Sequence, residues 1–597
     1  MAGTLAVTPA AAYDAEHTAM RGMPSPMGQA NGPVWAVEVA GGRVYAGGGF
    51  TSTRPAGSAA GSGETGQAYL AAFDATTGAP VTSFAPRLEN DYTGGPATVF
   101  ATALSPDGRT LYVGGDFNRV DGQRAEHLAS FDTATGAFLG EVGRNGVDGT
   151  VRSLAVSPDG RTLYVGGAFS RANWSARRDL AAFDLTTGEL TSWAPVVSDN
   201  VSNEALRVVS LAVSGDGSRV FLAGPFRKVN GAVAQGFMAV DASTGQNVAG
   251  WRADYLLAPY NWGTALETVG DTVYLGARDD VSGSLDRKEG VYAIDAASGA
   301  VRWYARCYGD TFALQALGND LYVGSHAHDC ADAGGMPETN PRTYLAVTAL
   351  NRGNGQVKPY FVQTSGVSGQ PDTMLLTRAL ATDGQTLVVG GGFAGVNGAA
   401  QANLVRFTPG SAPPDRAAWP SVRTCWRCSY VDVSVLEASD RDDVDLTYRI
   451  FRGWQTDTPI ATVTRESVPY ASETFTVRDT GVTPGSSTYY RVLVTDPAGN
   501  EVMSVRSATV TLTASSRTVR AGQPVRLTAR VGHGQGGWVR FVRDGRTVGR
   551  ARVVDGRARL RLPRLPEGRW EFAATWRDPD SPRSATMGKV RVRVTGS

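Results

Sequence analysis

The stretch TLYVGGDF at residues 110–117 returns with small changes along much of this chain of 597 residues. Seven copies align on an apolar core that ends in a small residue. They are RVYAGGGF (43–50), TLYVGGDF (110–117), TLYVGGAF (162–169), RVFLAGPF (219–226), TVYLGARD (272–279), DLYVGSHA (320–327) and TLVVGGGF (386–393). A period of roughly 50 to 65 residues indicates a structural unit that buries its faces only by stacking on neighbouring copies.

The order of segments within one copy predicts a four-stranded antiparallel sheet. In the third copy, VRSLAVS (151–157) meets a PDG turn, then TLYVGG, then LAAFD (180–184), an LTTG turn and SWAP (192–195). Alternating apolar residues joined by Asp-Gly and Thr-Gly turns are typical of antiparallel hairpins. The sequence therefore predicts an all-β fold, with a seven-bladed β-propeller over residues 31–410.

Several repeat motifs resemble known propeller families. AIDAASGAVRW (293–303) is similar to the repeat of quinoprotein-dehydrogenase-like propellers, and VSPDGRTLYVGG (156–167) resembles YVTN-type repeats. GGDFNRVDG (114–122) and GGGFAGVNG (390–398) resemble the delta-60 repeat. The resemblance covers about two thirds of the chain and implies a secreted bacterial propeller. It implies little about activity, because propellers host many unrelated functions.

The remaining third of the chain reads as two β-sandwiches. A Pro-rich linker at residues 411–420 precedes a segment at 421–512 whose STYYRVLVTDPAGN (487–500) resembles a fibronectin type III domain. In residues 513–597, GGWVRFVRDGRTVGRARVVDGRARLRL (536–562) resembles a bacterial Ig-like domain. That last segment has 19 Arg and Lys against 6 Asp and Glu, an asymmetry that would attract anionic polymers; the alternative is an ordinary Arg-rich surface.

The N-terminus predicts an exported protein, and the overall charge predicts no nucleic-acid binding. TPAAAY (8–13) has the small residues of a cleavage site, so residues 1–30 are interpreted as an N-terminal segment with a signal-peptide remnant, the alternative being an ordinary unstructured end. The net charge of +1 predicts no nucleic-acid binding, and no apolar run reaches the roughly 18 residues that membrane insertion requires. We expect a secreted monomer, associated with the cell surface.

The four cysteines favour disulfides in such a protein. Cys330 follows the second strand of the sixth copy and Cys307 ends the copy before it, so both are expected on one rim of the propeller and are predicted to pair. The alternative is a zinc site in which both sulfurs join His326 and His328 as ligands. These histidines are two residues apart in VGSHAHDC (323–330), so their side chains would point to the same side of an extended segment.

The second cysteine pair, Cys425 and Cys428, forms a C-x-x-C motif ahead of the fibronectin-like strands. Alone it is half a zinc site, and the β-rich context does not suit a redox motif. A small structural disulfide is predicted, and no metal or cofactor is assigned to the chain.

Loops on one rim offer aromatic and amide groups that suit sugars, whose C–H faces stack on rings while their hydroxyls form hydrogen bonds. The predicted ligand-binding residues are Tyr92, Asn200, Tyr255, Tyr260, Trp262, His326 and His328. The alternative for each aromatic residue is that it packs between blades.

Catalytic motifs are missing from the sequence, which has no G-x-S-x-G, H-E-x-x-H or P-loop pattern, and no catalytic residue is assigned. DRDDVD (440–445) departs from the ligand order of a calcium loop and is predicted to be a solvated turn. The favoured function is non-catalytic binding of glycan, cell-wall polymer or a surface protein, with the sandwiches as spacer and envelope anchor. The alternatives are a secreted propeller enzyme, either carbohydrate-active or a quinoprotein-like oxidoreductase, and a structural scaffold of the envelope.

Overall fold

A computed structural model of the chain describes residues 18, 20–92, 95–200, 208–252, 255–257, 261–279, 288–366, 377–415, 417, 420–423, 429–466, 473–482, 488–532, 536–577 and 588–596. The chain divides into two compact units, Met1–Ser411 and Ala412–Ser597. Regular structure in the described residues is β, apart from the short 3-10 helix Ala331–Ala333. The described helical structure contains no segment with the length and apolar character needed to span a membrane.

The first unit contains seven antiparallel sheets, one for each sequence repeat, which we call blades 1 to 7. The strands of blades 1 to 3 are, for blade 1, Val34–Ala40, Arg43–Gly48 and Leu70–Asp74; for blade 2, Thr98–Leu104, Thr110–Asp116, Leu128–Asp132 and Phe138–Glu141; and for blade 3, Thr150–Val156, Thr162–Ala168 and Leu180–Asp184. Those of blades 4 and 5 are, for blade 4, Ser210–Val213, Arg219–Ala223 and Phe237–Asp241; and for blade 5, Asn261–Val269, Thr272–Asp279, Gly290–Asp295 and Val301–Ala305. Those of blades 6 and 7 are, for blade 6, Thr311–Leu317, Asp320–Ala327, Leu345–Asn351 and Val357–Val362; and for blade 7, Ala379–Thr382, Leu387–Gly390 and Leu404–Phe407. The first strand of each blade is its inner strand. Each inner strand contacts the next, and that of blade 7 contacts that of blade 1, which confirms a closed seven-bladed β-propeller.

The two ends of the propeller meet in blade 7. Ser25 pairs antiparallel with Arg406, and Met20 pairs with Pro409. The backbone N–H of Met20 also donates to the Tyr322 hydroxyl of blade 6 at 3.0 Å. The segment ahead of blade 1 therefore forms the outer edge of the last blade, so hydrogen bonds between the two ends close the ring.

The glycine that follows the apolar core in six of the seven motifs allows neighbouring blades to touch. A Cβ atom at Gly114 would lie 2.3 Å from Cγ1 of Val151, the first buried residue on the inner strand of the next blade. Equivalent contacts occur at Gly47 against Val99 and, across the closure, at Gly390 against Val34. Since carbon atoms pack at about 3.5–4.0 Å, a side chain at these positions would push adjacent blades apart.

In blade 4 the position of this glycine is occupied by the larger Ala223. The residue that faces it in blade 5 is smaller than its equivalents in other blades. The facing inner-strand residue is Gly263, where a Cβ atom would lie 2.9 Å from that of Ala223. The small residue has moved to the other side of the same contact. The available space between blades is thus conserved around the ring even where the motif is not.

Short strands outside the blades build a rim at the end where inner strands begin and second strands end, which we call the upper rim. They pair the loop that enters a blade with a hairpin that follows its second strand. The rim strands of blades 1 to 3 are, at blade 1, Gln29–Ala30, Ser52–Arg54 and Thr65–Gly66; at blade 2, Leu88–Glu89, Arg119–Val120 and Gln123–Arg124; and at blade 3, Arg171–Ala172 and Ser175–Ala176. The remaining rim strands are, at blade 4, Val197–Asn200, Phe226–Val229 and Ala232–Val233; and at blade 7, Thr364–Ser365, Gly395–Val396 and Ala399–Ala400.

The second unit contains two β-sandwiches, as the sequence predicts. The first packs Ser421–Arg423, Val431–Leu436 and Thr474–Asp479 against Ala461–Glu466, Asp445–Arg452, Tyr490–Thr495 and Glu501–Met503. The second packs Thr509–Ala514, Arg526–Gly532 and Arg557–Arg561 against Thr518–Arg520, Gly588–Thr595, Gly568–Arg577, Trp538–Arg543 and Arg546–Arg552. Apolar residues that alternate along these strands fill the space between the sheets.

We predict that Gly114→Ala lowers the stability of the propeller by about 1–3 kcal/mol, because the new methyl group overlaps Val151. Gly66→Ala is the matched control, since no atom lies within 4 Å of a Cβ there and the residue is not in the left-handed region. Calorimetric unfolding of the full chain provides the measurement. Combining Gly114→Ala with Val151→Ala should cost less than the sum of the single changes, and strictly additive losses would contradict the contact.

Candidate ligand-binding cleft on the propeller rim

Four rim hairpins turn through two residues that both have positive φ, which is the geometry of a type I′ turn. The pairs are Asp121-Gly122 in blade 2, Asn173-Trp174 in blade 3, Asn230-Gly231 in blade 4 and Asn397-Gly398 in blade 7. Asn, Asp and Gly enter this region at low cost, which explains why the first position is always Asn or Asp. Trp174 alone departs from the pattern.

The first residue of each turn ties its hairpin to the loop that enters the blade. In blade 3, Oδ1 of Asn173 accepts a hydrogen bond from the backbone N–H of Asn145 at 3.0 Å, and its own N–H donates to the Gly146 carbonyl at 3.0 Å. Asp121, Asn230 and Asn397 make the same pair of contacts in their blades. The hairpin tips are therefore fixed relative to the blades that carry them.

Trp174 stands where the other three turns have glycine. Its φ is 62°, a conformation that costs a bulky residue about 1–2 kcal/mol. The indole is 63 % exposed, so burial recovers little of this cost. The Arg124 guanidinium lies 5.7 Å from its ring centroid, which contributes only about 0.5–1 kcal/mol at an exposed site. A strained, exposed tryptophan points to a role outside folding.

Trp174 borders a cleft of about 230 Å³ between blades 2 and 3. Tyr92, which is 70 % exposed, contributes a second aromatic ring to the lining. The complete lining is Tyr92, Arg124, Glu126, His127, Asn145, Gly146, Val147, Asp148, Arg171 and Trp174. The structure thus joins one residue that the sequence analysis selected, Tyr92, with one that it missed.

Hydrogen bonds hold the polar groups of the cleft in fixed positions. Glu126 Oε1 accepts from the Tyr92 hydroxyl at 2.8 Å and from Nε of Arg124 at 3.0 Å. Nη1 of Arg124 donates to Oδ1 of Asn145 at 2.9 Å, and the Glu126 N–H donates to Oε1 of Glu141 at 2.7 Å. The exposed Tyr92 ring is therefore anchored to both blades through Glu126, Arg124 and Asn145.

The electrostatic environment of these groups follows from their contacts. Burial raises the pKa of Glu141, whereas the hydrogen bond to the Glu126 carboxylate raises the pKa of Tyr92. Burial acts to raise the pKa of Asp148, but hydrogen bonds from the Ser170 hydroxyl and from the N–H groups of Ser170 and Arg171 lower it overall. The cleft combines fixed carboxylates with a guanidinium, so it offers both donors and acceptors beside two aromatic faces.

The other predicted rim residues lie apart from this cleft. Trp262 is only 3 % exposed and its ring is covered by Arg278, whose guanidinium carbon lies 4.9 Å from the ring centroid. Tyr255 is exposed in the loop ahead of blade 5, and Asn200 ends a rim strand paired with Phe226 in blade 4. Tyr260 lies outside the described residues. Trp262 therefore offers no exposed face to a sugar, because it is buried at the start of the inner strand of blade 5 beside its strand partner Arg278.

The histidines of the VGSHAHDC segment are half-buried in blade 6. Nε2 of His326 accepts from the N–H of Asp310 at 3.3 Å, and both imidazoles pack edge-on against Tyr344. Burial, and then the charge of Arg342, lower the pKa of His328. Their contacts are those of a packed loop.

A disulfide joins Cys307 to Cys330 beside these histidines, as the sequence predicts. Because both sulfurs are bonded to each other, they do not serve as thiolate ligands in the alternative zinc set. The second predicted pair, Cys425 and Cys428, lies outside the described residues.

The inner strands carry a further cationic and aromatic surface that sequence motifs do not reveal. In five blades a β-bulge near the start of the inner strand leaves one residue unpaired: Trp35, Phe100, Arg152, Thr264 and Phe312. The guanidinium of Arg152 lies 3.7 Å from the Phe100 centroid, and that of Arg378 lies 4.1 Å from Phe312. Burial lowers the pKa of Arg378 to about 10.

Both sheets of the second sandwich carry exposed arginines, and the three-stranded sheet holds five of them on two adjacent strands. Arg526 pairs directly with Arg561, and Arg530 with Arg557, while Arg559 stands between them on the same strand. All five are exposed. Like charges placed opposite each other on adjacent strands repel, so this arrangement reduces stability unless an anion lies over it. We call these five residues the arginine face.

Comparisons with known proteins support the β-propeller. The family model described as the Rax2 C-terminal beta propeller domain matches residues 70–224. No curated protein sequence matches the chain.

Three solved structures that match the chain have low sequence identity and low TM-scores. Oligogalacturonate lyase from Vibrio parahaemolyticus is 12% identical over 66% of this chain and 97% of its own, with a TM-score of 0.39. The extracellular domain of the hybrid two component system BT3049 from B. thetaiotaomicron is 8% identical over 96% and 100%, with a TM-score of 0.23. The fibronectin(III)-like modules of CbhA from Clostridium thermocellum are 20% identical over 28% and 86%, with a TM-score of 0.13.

Proposed function

We propose that this chain is an extracellular binding protein that holds carbohydrate in the cleft between blades 2 and 3. The observation that carries the proposal is Trp174, an exposed indole held in a left-handed conformation where the other turns have glycine. Strained residues cluster at ligand-binding sites, and the contact with Arg124 offsets only part of the strain at Trp174.

The chemistry of the cleft suits a sugar better than an apolar ligand. Tyr92 and Trp174 present aromatic faces that stack on the C–H faces of a sugar ring. Arg124, Glu126 and Asp148 offer fixed donors and acceptors for its hydroxyl groups. With a volume of about 230 Å³, smaller than the roughly 300–1,000 Å³ of pockets that enclose a whole ligand, the cleft fits a short part of a longer glycan.

The disulfide supports an extracellular location. Cys307 and Cys330 form a bond that persists in oxidising compartments and is rare in the cytosol. A fixed, exposed binding surface on a disulfide-containing propeller is what a glycan-binding protein of the cell exterior requires.

We predict that Trp174→Gly abolishes carbohydrate retention without lowering stability. Glycine relieves the left-handed strain, so the unfolding temperature should stay the same or rise. Retention is measured by affinity electrophoresis of the full chain in gels containing xylan, arabinogalactan, polygalacturonate or bacterial peptidoglycan fragments.

Two further variants serve as controls for that experiment. Tyr255→Ala removes an exposed aromatic residue elsewhere on the rim and should keep retention, while Trp262→Ala removes a buried one and should lower the unfolding temperature. If the Trp174→Gly variant is retained like the wild type, or if no gel retains the wild type, the proposed function is wrong.

We propose a second role for the arginine face, which is attachment to an anionic polymer of the cell envelope. Five guanidinium groups on two adjacent strands match the repeated charges of a polyphosphate or polyuronate chain. This contact is electrostatic and depends on counterion release, so it should weaken steeply as salt increases.

The arginine face is tested by changing three charges at a time. The triple variant Arg557→Gln, Arg559→Gln, Arg561→Gln should lose most binding of the full chain to lipoteichoic acid and show a shallower salt dependence. Arg540→Gln, Arg550→Gln, Arg552→Gln removes the same charge from exposed positions on the opposite sheet and should retain most of it. Equal losses in the two variants would show that only net charge matters and would contradict a specific face.

A further inference from the structure

The turn that contains DRDDVD is buried, which corrects the expectation of a solvated turn. It lies between the strands Val431–Leu436 and Asp445–Arg452 of the first sandwich. The exposed fractions of Asp440, Asp442 and Asp443 are 1%, 0% and 5%. Carboxylates are seldom buried this deeply unless they are paired or coordinate a metal.

The three carboxylates converge on one point. One oxygen atom from each lies within 4.8 Å of an oxygen atom of the other two. Oδ1 of Asp440 accepts from the N–H groups of Asp442 at 3.1 Å and Asp443 at 3.3 Å, which folds the turn around it. Its Oδ2 is buried and has no hydrogen-bond partner among the described residues.

The surrounding charges do not neutralise Asp440. It forms no ion pair with an Arg or Lys in the described part of the chain, and the adjacent Arg441 instead pairs with Asp415 at 3.0 Å. The three carboxylates therefore lie close together and away from water, and Asp440 has no cationic partner in the described part of the chain.

We propose that Asp440, Asp442 and Asp443 bind a calcium ion. Three carboxylate oxygens within 4.8 Å of one another can all reach one Ca²⁺, which takes oxygen ligands at about 2.3–2.6 Å in a flexible geometry. Mg²⁺ demands a near-ideal octahedron and usually keeps several waters, so a buried turn of three carboxylates suits it less. Calcium would neutralise the buried Asp440 carboxylate and bind its unpartnered Oδ2.

The position of the site gives the ion a structural role. Oδ2 of Asp442 accepts from the N–H of Ala412, the first residue of the second unit, at 3.0 Å. The Tyr448 hydroxyl accepts from the N–H of Ala438, just ahead of the turn. An ion held by the turn would therefore hold three parts of the second unit in fixed relative positions: its first residue Ala412, the turn itself and the strand Asp445–Arg452.

Calcium content and calcium-dependent unfolding of the full chain test the proposal. After EGTA treatment and dialysis against CaCl₂, plasma mass spectrometry should find one Ca²⁺ per chain. The unfolding transition of the second unit should rise by roughly 5 °C or more in 1 mM CaCl₂ relative to EGTA, with a smaller rise in MgCl₂.

Variants of the turn test whether calcium binding and the thermal shift depend on its aspartates. Asp442→Asn and, separately, Asp443→Asn should abolish both the stoichiometric calcium and the thermal shift, whereas Asp432→Asn, which breaks an ion pair with Arg478 on the same sandwich, should keep both. Absence of bound calcium in the wild type overturns the proposal even if a variant fails to fold. A thermal shift that survives both turn variants, or an equal shift with Mg²⁺, also overturns it.

Discussion

The close contact between the small residue of each repeat motif and the inner strand of the next blade is the constraint on which the propeller depends. In the contact between Gly114 and Val151 the motif supplies the small residue, as in most blades. In the contact between Ala223 and Gly263 the inner strand of the next blade supplies it instead. This spacing sets the distance from blade to blade, and seven such steps bring blade 7 back to blade 1. The rim loops take their positions from that ring.

The binding cleft that we propose lies where the repeat is altered. The hairpin of blade 3 keeps the Asn173 contacts that fix every such turn, so Trp174 sits on a rigid support although its own conformation is strained. Tyr92 reaches the same cleft from the loop of the neighbouring blade and is held through Glu126. The arginine face of the second unit differs from this, because its residues lie at the outward positions of two regularly paired strands.

The repeats contain enough information to predict the seven blades and the disulfide between Cys307 and Cys330. They do not reveal which side chains are covered in the fold: Trp262 looks like an exposed rim residue in sequence, yet Arg278 on the adjacent strand covers it. The aspartates at 440–443 look like a solvated turn for the same reason. Trp174 was visible in the alignment of NW with DG and NG, but its significance requires the positive φ that only the structure shows.

The central claim is that ligand binds at the cleft between blades 2 and 3. Hydrogen–deuterium exchange of the full chain, with and without the polysaccharide that retains it, tests this most directly because it reports every surface at once. The account predicts slower exchange in the loops at 87–92, 124–127, 145–148 and 171–174, which line the cleft or lead to it. Protection centred on the rim of blades 4 to 6, or only in the second unit, would contradict it.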